Sequence, residues 1–388
     1  MRISQVRTTI VTVPFTRPEV WGRGTRLCTT NLILELETDE GLVGLGECNG
    51  GVDAATKVQE FSRYLVGFDP LDLIERLRQR LLRAIDPAPG PFASIEMALL
   101  DLLGQATNQP LYKLLGGAVH RQVPFMYYLL RDSLEVMAKE AAGAVKAGFG
   151  TVYIKAGIEI EEDLAVIKAV REAIGPQCKL RIDPNENWTV GTAARLFRHL
   201  ERYDLELVED PVPRHDLAGW CRLRASSSIP IAAQECAYTM SQMLTVIEKG
   251  AADIILIDPM RNGGLTGMRW AAALAEAAGL PVYMHSGGTV GVATSAAVHA
   301  LSTIPNNLLA SQTYYQFMGG EVTKEQVNCF QDGCLSPSER PGLGVTLDPG
   351  KVAQFHEIYE RGELVDGSFR RDDLSQEVAE ENIYYPRF

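Results

Sequence analysis

The chain has 388 residues and a formal net charge of −12, with 46% hydrophobic and 22% charged side chains. A chain this long exceeds the size at which one hydrophobic core grows efficiently, so two domains are expected. The acidic balance and the lack of a basic tract exclude nucleic acid as a partner, and no apolar run reaches the roughly 20 residues that span a bilayer.

The first residues, MRISQVRTTIVTVP, alternate as a strand does and lack the basic-then-apolar layout of a signal peptide, so a cytoplasmic protein is expected. Seven cysteines, at positions 28, 48, 178, 221, 236, 329 and 334, are odd in number and show no zinc spacing. They read as reduced thiols. An acidic chain still binds an anionic small molecule when a divalent cation sits between them, which directs attention to metal ligands.

In chain order, NLILELETDEGLVGLGEC reads as a hairpin turning at Asp-Glu-Gly. Helical spacing follows over Ala54–Leu65, Leu71–Leu82 and Phe92–Ala106, punctuated by Pro87, Pro89, Pro91 and Pro110. Residues 1–120 are therefore an α+β unit. After Gly116-Gly117 the pattern changes to short apolar strands separated by helical stretches, as parallel strands buried on both faces appear in sequence. Eight such strands are read: PFMYYLL, TVYIKAG, KLRIDPN, LELVEDP, PIAAQE, DIILIDP, PVYMHS and LLASQT. Eight strands alternating with helices predict an α/β fold of the (β/α)-barrel type.

Seven of these strands end in a polar residue: Lys155, Asp183, Glu209, Glu235, Asp258, His285 and Gln312. Subtraction gives gaps of 28, 26, 26, 23, 27 and 27 residues. Each gap is one βα unit, so all seven side chains come to one rim of the barrel, where barrel enzymes carry out chemistry. A single Asp or Glu at a strand end is usually a helix cap or a solvated loop residue. Seven in register with the fold's own period point to a shared site.

In these residues the chain resembles the enolase superfamily, in its mandelate racemase and glucarate dehydratase branch. The local strings Ile-Asp-Pro-Asn, Val-Glu-Asp-Pro, Ala-Gln-Glu, His-Ser and the Pro-Gly-Leu-Gly from Pro341 carry the resemblance over nearly the whole chain. It implies a modified, TIM-like barrel over residues 121–330, with residues 1–120 as a capping domain to which a C-terminal segment, 331–388, returns. It further implies Asp183, Glu209 and Glu235 as magnesium ligands and Asp258–His285 as a catalytic dyad. Lys155 becomes the acid/base of the opposite face. Asn185, Gln312 and Tyr153 become substrate contacts, and the segment Phe15–Asn31 and the Gly50-Gly51 region select the substrate, with Arg17, Arg23, Arg26 and Tyr128 as candidate contacts.

The chemistry explains these residue types. Removing a proton next to a carboxylate builds a second negative charge on its oxygens, and a hard divalent cation held by three carboxylates stabilises it. Mg²⁺ is expected, with Mn²⁺ as a substitute; zinc is disfavoured because no Cys or His belongs to the ligand set. His is the side chain that best accepts a proton near neutrality, and a neighbouring Asp fixes its tautomer. The family's Lys-x-Lys string reads Tyr153-Ile154-Lys155 here, so Tyr153 supplies no positive charge to depress Lys155, which is expected to be protonated and to act as an acid or carboxylate anchor. Dehydration of an acid sugar, aldonate or aldarate, to a 2-keto-3-deoxy acid is the leading expectation, with racemisation or epimerisation at carbon 2 next. A non-catalytic sugar-acid binding protein ranks last because binding needs no base. The expected partner is a small-molecule carboxylate, and a homo-oligomer is expected.

Overall fold

The computed structural model describes residues 1–72, 79 and 88–364. Its first layer is an antiparallel sheet of β1 (Ile3–Trp21), β2 (Gly24–Thr38) and β3 (Val43–Asn49), in that order. The β1–β2 ladder runs from Ile3↔Thr38 to Trp21↔Gly24, which carries the hairpin tip well beyond the body of the sheet. The long helix Pro89–Ala106 starts on proline at its first turn and is apolar nearly all round. Such a helix must be covered on several sides, and it lies between β3 and the helix Gly264–Ala277. Its approach to the sheet is set by two glycines. A Cβ built on Gly46 would lie 1.9 Å from the Ser94 carbonyl oxygen, and one on Gly44 would lie 2.2 Å from that of Ala98. The predicted helical stretch Leu71–Leu82 falls almost wholly outside the described residues, as does everything after residue 364.

The second domain is a curled parallel sheet of β5 (Tyr127–Leu129), β6 (Thr151–Lys155), β7 (Lys179–Asp183), β8 (Leu207–Glu209), β9 (Ile231–Ala233), β10 (Ile254–Ile257) and β11 (Val282–Met284), neighbours in chain order throughout. These strands are buried on both faces, as their unbroken apolar runs require. The predicted eighth strand, LLASQT, is not a regular strand, yet it closes the barrel. Ser311 donates its N–H to the Pro124 carbonyl (2.8 Å) and receives that of Met126 (2.9 Å), while Gln312 donates to Met284 (2.8 Å). On the β11 side the Met284 N–H goes to the Ser311 hydroxyl at 3.1 Å, so a side chain takes the place of a ladder carbonyl and regular pairing stops. Short β4 (Val123–Pro124) pairs with β12 (Cys334–Leu335) below this closure.

The chain then returns to the first layer. Helix Pro349–Arg361 packs along β1, with Phe355 among Val11, Val13, Ile33, Val290 and Val322. His356 donates through Nδ1 to the Ile10 carbonyl at 2.7 Å. All seven cysteines are unpaired, and among the described residues no helix is long and apolar enough to cross a membrane.

The glycine contacts make a test. Gly46→Ala should force the helix Pro89–Ala106 away from β3 and lower stability by about 1–3 kcal/mol, read by chemical denaturation, because a packed backbone contact cannot absorb an added methyl. A variant with unchanged stability would show that this interface yields.

Candidate active site

The strand ends place the predicted residues on one rim. Lys155 and Asp183 are the last residues of β6 and β7 and pair directly in register; Glu209 ends β8. Glu235, Asp258 and His285 follow β9, β10 and β11. Behind the rim, the turns after β7 and β8 use left-handed backbone at Asn185, Glu186 and Asp210, with φ of 48°, 65° and 39°. Conformations of this kind persist where surrounding bonds over-determine them, and functional sites are where they concentrate. Asp183 Oδ1 accepts the Asn185 N–H at 2.7 Å, fixing the first of these turns.

Asp183 and Glu209 are fully buried and adjacent. Asp183 Oδ2 accepts from the Lys155 ammonium (2.6 Å) and the Tyr153 hydroxyl (2.7 Å). Glu209 Oε2 accepts from the Tyr283 hydroxyl at 2.6 Å, whereas Oε1 is buried with no partner. Burial, reinforced by the charge of Asp183, pushes the Glu209 carboxyl up, against the opposing pull of Lys155 and Tyr283. For Lys155 burial works to lower the pKa, but Asp183, Glu209 and Glu19 together win and raise it. Tyr153, fully buried, is a hydrogen-bond donor to Asp183 and not part of the cavity wall.

Hard carboxylate oxygens, one of them buried without a donor, fit a hard divalent cation. Glu235 is engaged otherwise: the Arg214 guanidinium bridges it to Glu186. Among the described residues no three acidic, His or Cys side chains stand together closely enough to hold a metal ion. The turn bearing Glu235 is held by Asp210, which accepts the N–H groups of Gln234 (3.0 Å) and Glu235 (3.2 Å). Burial, then the charges of Glu235 and Glu186, raises the Asp210 carboxyl well above its ordinary range. Sequence reasoning had Asp210 only as a letter in the Glu-Asp-Pro string.

On the other side, His285 Nδ1 donates to Asp258 Oδ2 at 2.9 Å, and Asp258 Oδ1 accepts the Met260 N–H at 2.7 Å. The dyad is therefore oriented by the helix that Asp258 caps. Among the described residues His285 Nε2 has no hydrogen-bond partner. His285, Asp258, Lys155, Asn185 and Glu235 all line one cavity of about 520 Å³, roofed from the capping strands by Trp21, Arg23, Arg26 and Asn49. Asn185 Oδ1 is buried without a partner. Gln312 is fully buried outside that lining, where its side-chain oxygen accepts the Ser286 N–H at 3.3 Å.

Two of the other candidate contacts are used elsewhere. Arg17 pairs with Asp132 and Glu140, and Tyr128 donates to the buried Glu19. Glu19, missed in the sequence because it lies mid-strand, also accepts from Tyr314 (3.0 Å) and Arg26 (3.2 Å) and lines the cavity.

A capping sheet over a barrel with acidic residues on successive strand ends defines a class, and comparison with known proteins identifies it. Residues 5–116 match the mandelate racemase / muconate lactonizing enzyme N-terminal domain, and residues 136–351 match the enolase C-terminal domain-like family. The chain belongs to the enolase superfamily. It is similar to the hydrophobic dipeptide epimerase of Enterococcus faecalis, at 36% identity over 68% of this chain and 77% of the relative. It is similar also to a probable glucarate dehydratase of Streptomyces coelicolor, at 30% identity over 89% of both chains. A solved enolase from Thermobispora bispora, complexed with magnesium and formate, superimposes with a TM-score of 0.87 at 29% identity, over 94% of this chain and 95% of that one.

One consequence of the geometry is independent of turnover. Tyr283→Phe removes the hydrogen bond to Glu209 Oε2 and leaves a buried carboxylate without a donor on either oxygen, so stability should fall by about 1–3 kcal/mol in denaturant titrations. An unchanged midpoint would mean that Glu209 finds another donor.

Proposed function

We propose that this chain removes the proton α to a substrate carboxylate in a magnesium-dependent reaction and dehydrates an acid sugar to a 2-keto-3-deoxy acid. The observation that supports this reading is the inequality of the two candidate bases. His285 is held by Asp258 with Nε2 unbonded at the cavity, whereas the Lys155 ammonium is bound to Asp183 Oδ2 at 2.6 Å beside Tyr153. One ready base suffices for elimination; interconversion at carbon 2 needs two.

His285 Nε2 takes the carbon-2 proton, and Asp258 stabilises the imidazolium that results. The electron pair left behind moves onto the carboxylate, where the Lys155 ammonium is the chain's own countercharge. Magnesium held by Asp183, Glu209 and Glu235 would supply further positive charge against those oxygens. The pair then returns to expel the carbon-3 hydroxyl, which leaves as water with a proton for which His285 Nε2–H is the donor already in place. The enol so formed tautomerises to the keto acid.

A second reading, racemisation or epimerisation at carbon 2, draws on the fact that Lys155 and His285 both line the same cavity and on the epimerase relative from Enterococcus faecalis. The two are separated by exchange in deuterated water. For the dehydratase, His285→Asn abolishes both keto-acid formation and exchange of the carbon-2 proton, while Lys155→Ala retains some exchange. Each single variant of a racemase still exchanges the enantiomer that faces its surviving base. Unreacted substrate recovered with inverted carbon 2 and no keto acid would establish the second reading.

The metal makes a further test. In a screen of mono- and diacid sugars, chelation should abolish keto-acid formation and Mg²⁺ or Mn²⁺ should restore it. Asp183→Asn, Glu209→Gln and Glu235→Gln should each weaken Mg²⁺ binding measured by calorimetry. Turnover that survives exhaustive chelation would defeat the metal assignment, and Glu235→Gln binding Mg²⁺ as tightly as the parent would remove Glu235 from it.

A further inference from the structure

Five cations line the cavity: Arg23, Arg26, Lys155, Arg214 and Arg261. Four are matched by carboxylates. Arg23 pairs with Glu186, Arg26 with Glu19, Lys155 with Asp183, and Arg214 with both Glu186 and Glu235. Arg261 differs. Its side chain is exposed on the cavity wall, and its guanidinium lies over the Tyr238 ring, 4.8 Å from the centroid. Among the described residues no carboxylate forms an ion pair with it, and Asp258 and Glu235 act on it only through space. Arg214 stands 5.9 Å from the centroid of the same ring, so one aromatic side chain supports two guanidiniums.

The backbone beneath Arg261 is held in place. It sits in the short helix Pro259–Asn262 that Asp258 caps, and its N–H donates to the Asp258 carbonyl at 3.1 Å. Stacking on Tyr238 restricts the plane of the guanidinium while leaving its edge donors available, which is the arrangement that receives a carboxylate through two parallel hydrogen bonds. In the sheet, β10, which leads into Arg261, and β6, which ends in Lys155, stand four places apart. In an eight-stranded barrel that separation is the full width of the mouth. A substrate with one carboxylate beside Lys155 and Asp183 thus has its far end directed toward the Arg261 wall, and a cavity of about 520 Å³ has room for a six-carbon chain.

We propose that Arg261 binds the second carboxylate of a dicarboxylic acid sugar, so that the enzyme selects an aldarate over the corresponding aldonate. The choice of sugar acids rests on the dehydratase reading; the anchor itself does not. A hydroxymethyl group at the far end leaves the guanidinium with only the through-space charges of Asp258 and Glu235 and no hydrogen-bonded carboxylate, whereas a carboxylate supplies a charge-assisted, bidentate partner.

The test compares matched pairs, galactarate with galactonate and glucarate with gluconate, on the Mg²⁺-loaded full chain. The ratio of kcat/KM, diacid over monoacid, should favour the diacid and fall roughly 10- to 100-fold in Arg261→Gln, the range expected for losing a hydrogen-bonded charge. Arg261→Lys, which keeps the charge but loses the fork, should fall part of the way, and it carries the test if Arg261→Gln does not fold. A ratio unchanged by these substitutions, or an equal fall for both members of a pair, makes Arg261 a packing residue for Tyr238 and overturns the proposal. If the parent enzyme dehydrates no member of either pair and none of the acid sugars screened above, the dehydratase reading fails by itself, and the anchor is decided by calorimetric binding of galactarate against galactonate. Loss of the preference for galactarate in the variants then upholds the anchor, and its retention, or a parent chain with no such preference, refutes it.

Discussion

Two carboxylates, Asp183 and Glu209, sit side by side with no solvent exposure, and the rest of the barrel mouth is organised around that fact. Burying an ionised carboxylate without a partner costs several kcal/mol, and burying two together adds their repulsion. The interior answers with donors that an apolar core would not contain. Tyr153 and Lys155 serve Asp183, and Tyr283 serves Glu209. One layer below, Arg181 lies with its guanidinium 4.5 Å from the centroid of the Tyr283 ring, and its own charge is matched by Glu206 at 2.5 Å. The packing is thus a column of alternating charge and aromatic rings, and the oxygen it leaves without a donor, Glu209 Oε1, is on one of the residues proposed to hold the metal.

The capping sheet is more than a roof. Asn31 donates to the Gly288 carbonyl (3.2 Å), and Arg26 and Asn49 donate to that of Gly287 (3.3 and 3.4 Å), so three cap side chains hold the loop that follows His285. Two residues further on, Glu47 from β3 accepts the N–H groups of Val290 (2.6 Å) and Ala293 (2.8 Å) at the start of the buried helix Gly291–Leu301. A carboxylate at a helix N-terminus is favoured by the exposed N–H groups there. Burial nevertheless dominates at Glu47 and pushes its carboxyl up to about 8. The proposed base therefore stands beside a loop held by both domains, and the cap side chains that line the cavity help to support it.

The proposed acid, base and metal ligands come from different strand ends, and a wall of other side chains stands between them and the cap. Trp21, Arg23 and Arg26 reach that wall from the long β1–β2 hairpin, while Arg214, Tyr238 and Arg261 reach it from the loops after β8, β9 and β10. Similar chains are named as a dipeptide epimerase and a probable glucarate dehydratase.

Much of this was legible in the amino-acid order alone. A gap of 23 to 28 residues between Lys155, Asp183, Glu209, Glu235, Asp258, His285 and Gln312 is a one-dimensional quantity, and a fold that repeats one strand and one helix turns it into a single rim. The pairing of Asp258 with His285 was expected from the family resemblance, and the structure joins the two by a hydrogen bond. What no spacing determines is which way a side chain turns once it reaches the rim. Glu235 lies on Arg214, Gln312 points back to Ser286, and the eighth strand loses its regular ladder to the Ser311 hydroxyl. Arg261 stands out only after the partners of the other four cations are known. Each of these depends on contacts between segments distant in the chain, where burial and the need to match every buried charge select one arrangement. Local pattern is silent on that choice, and only the packed tertiary structure makes it.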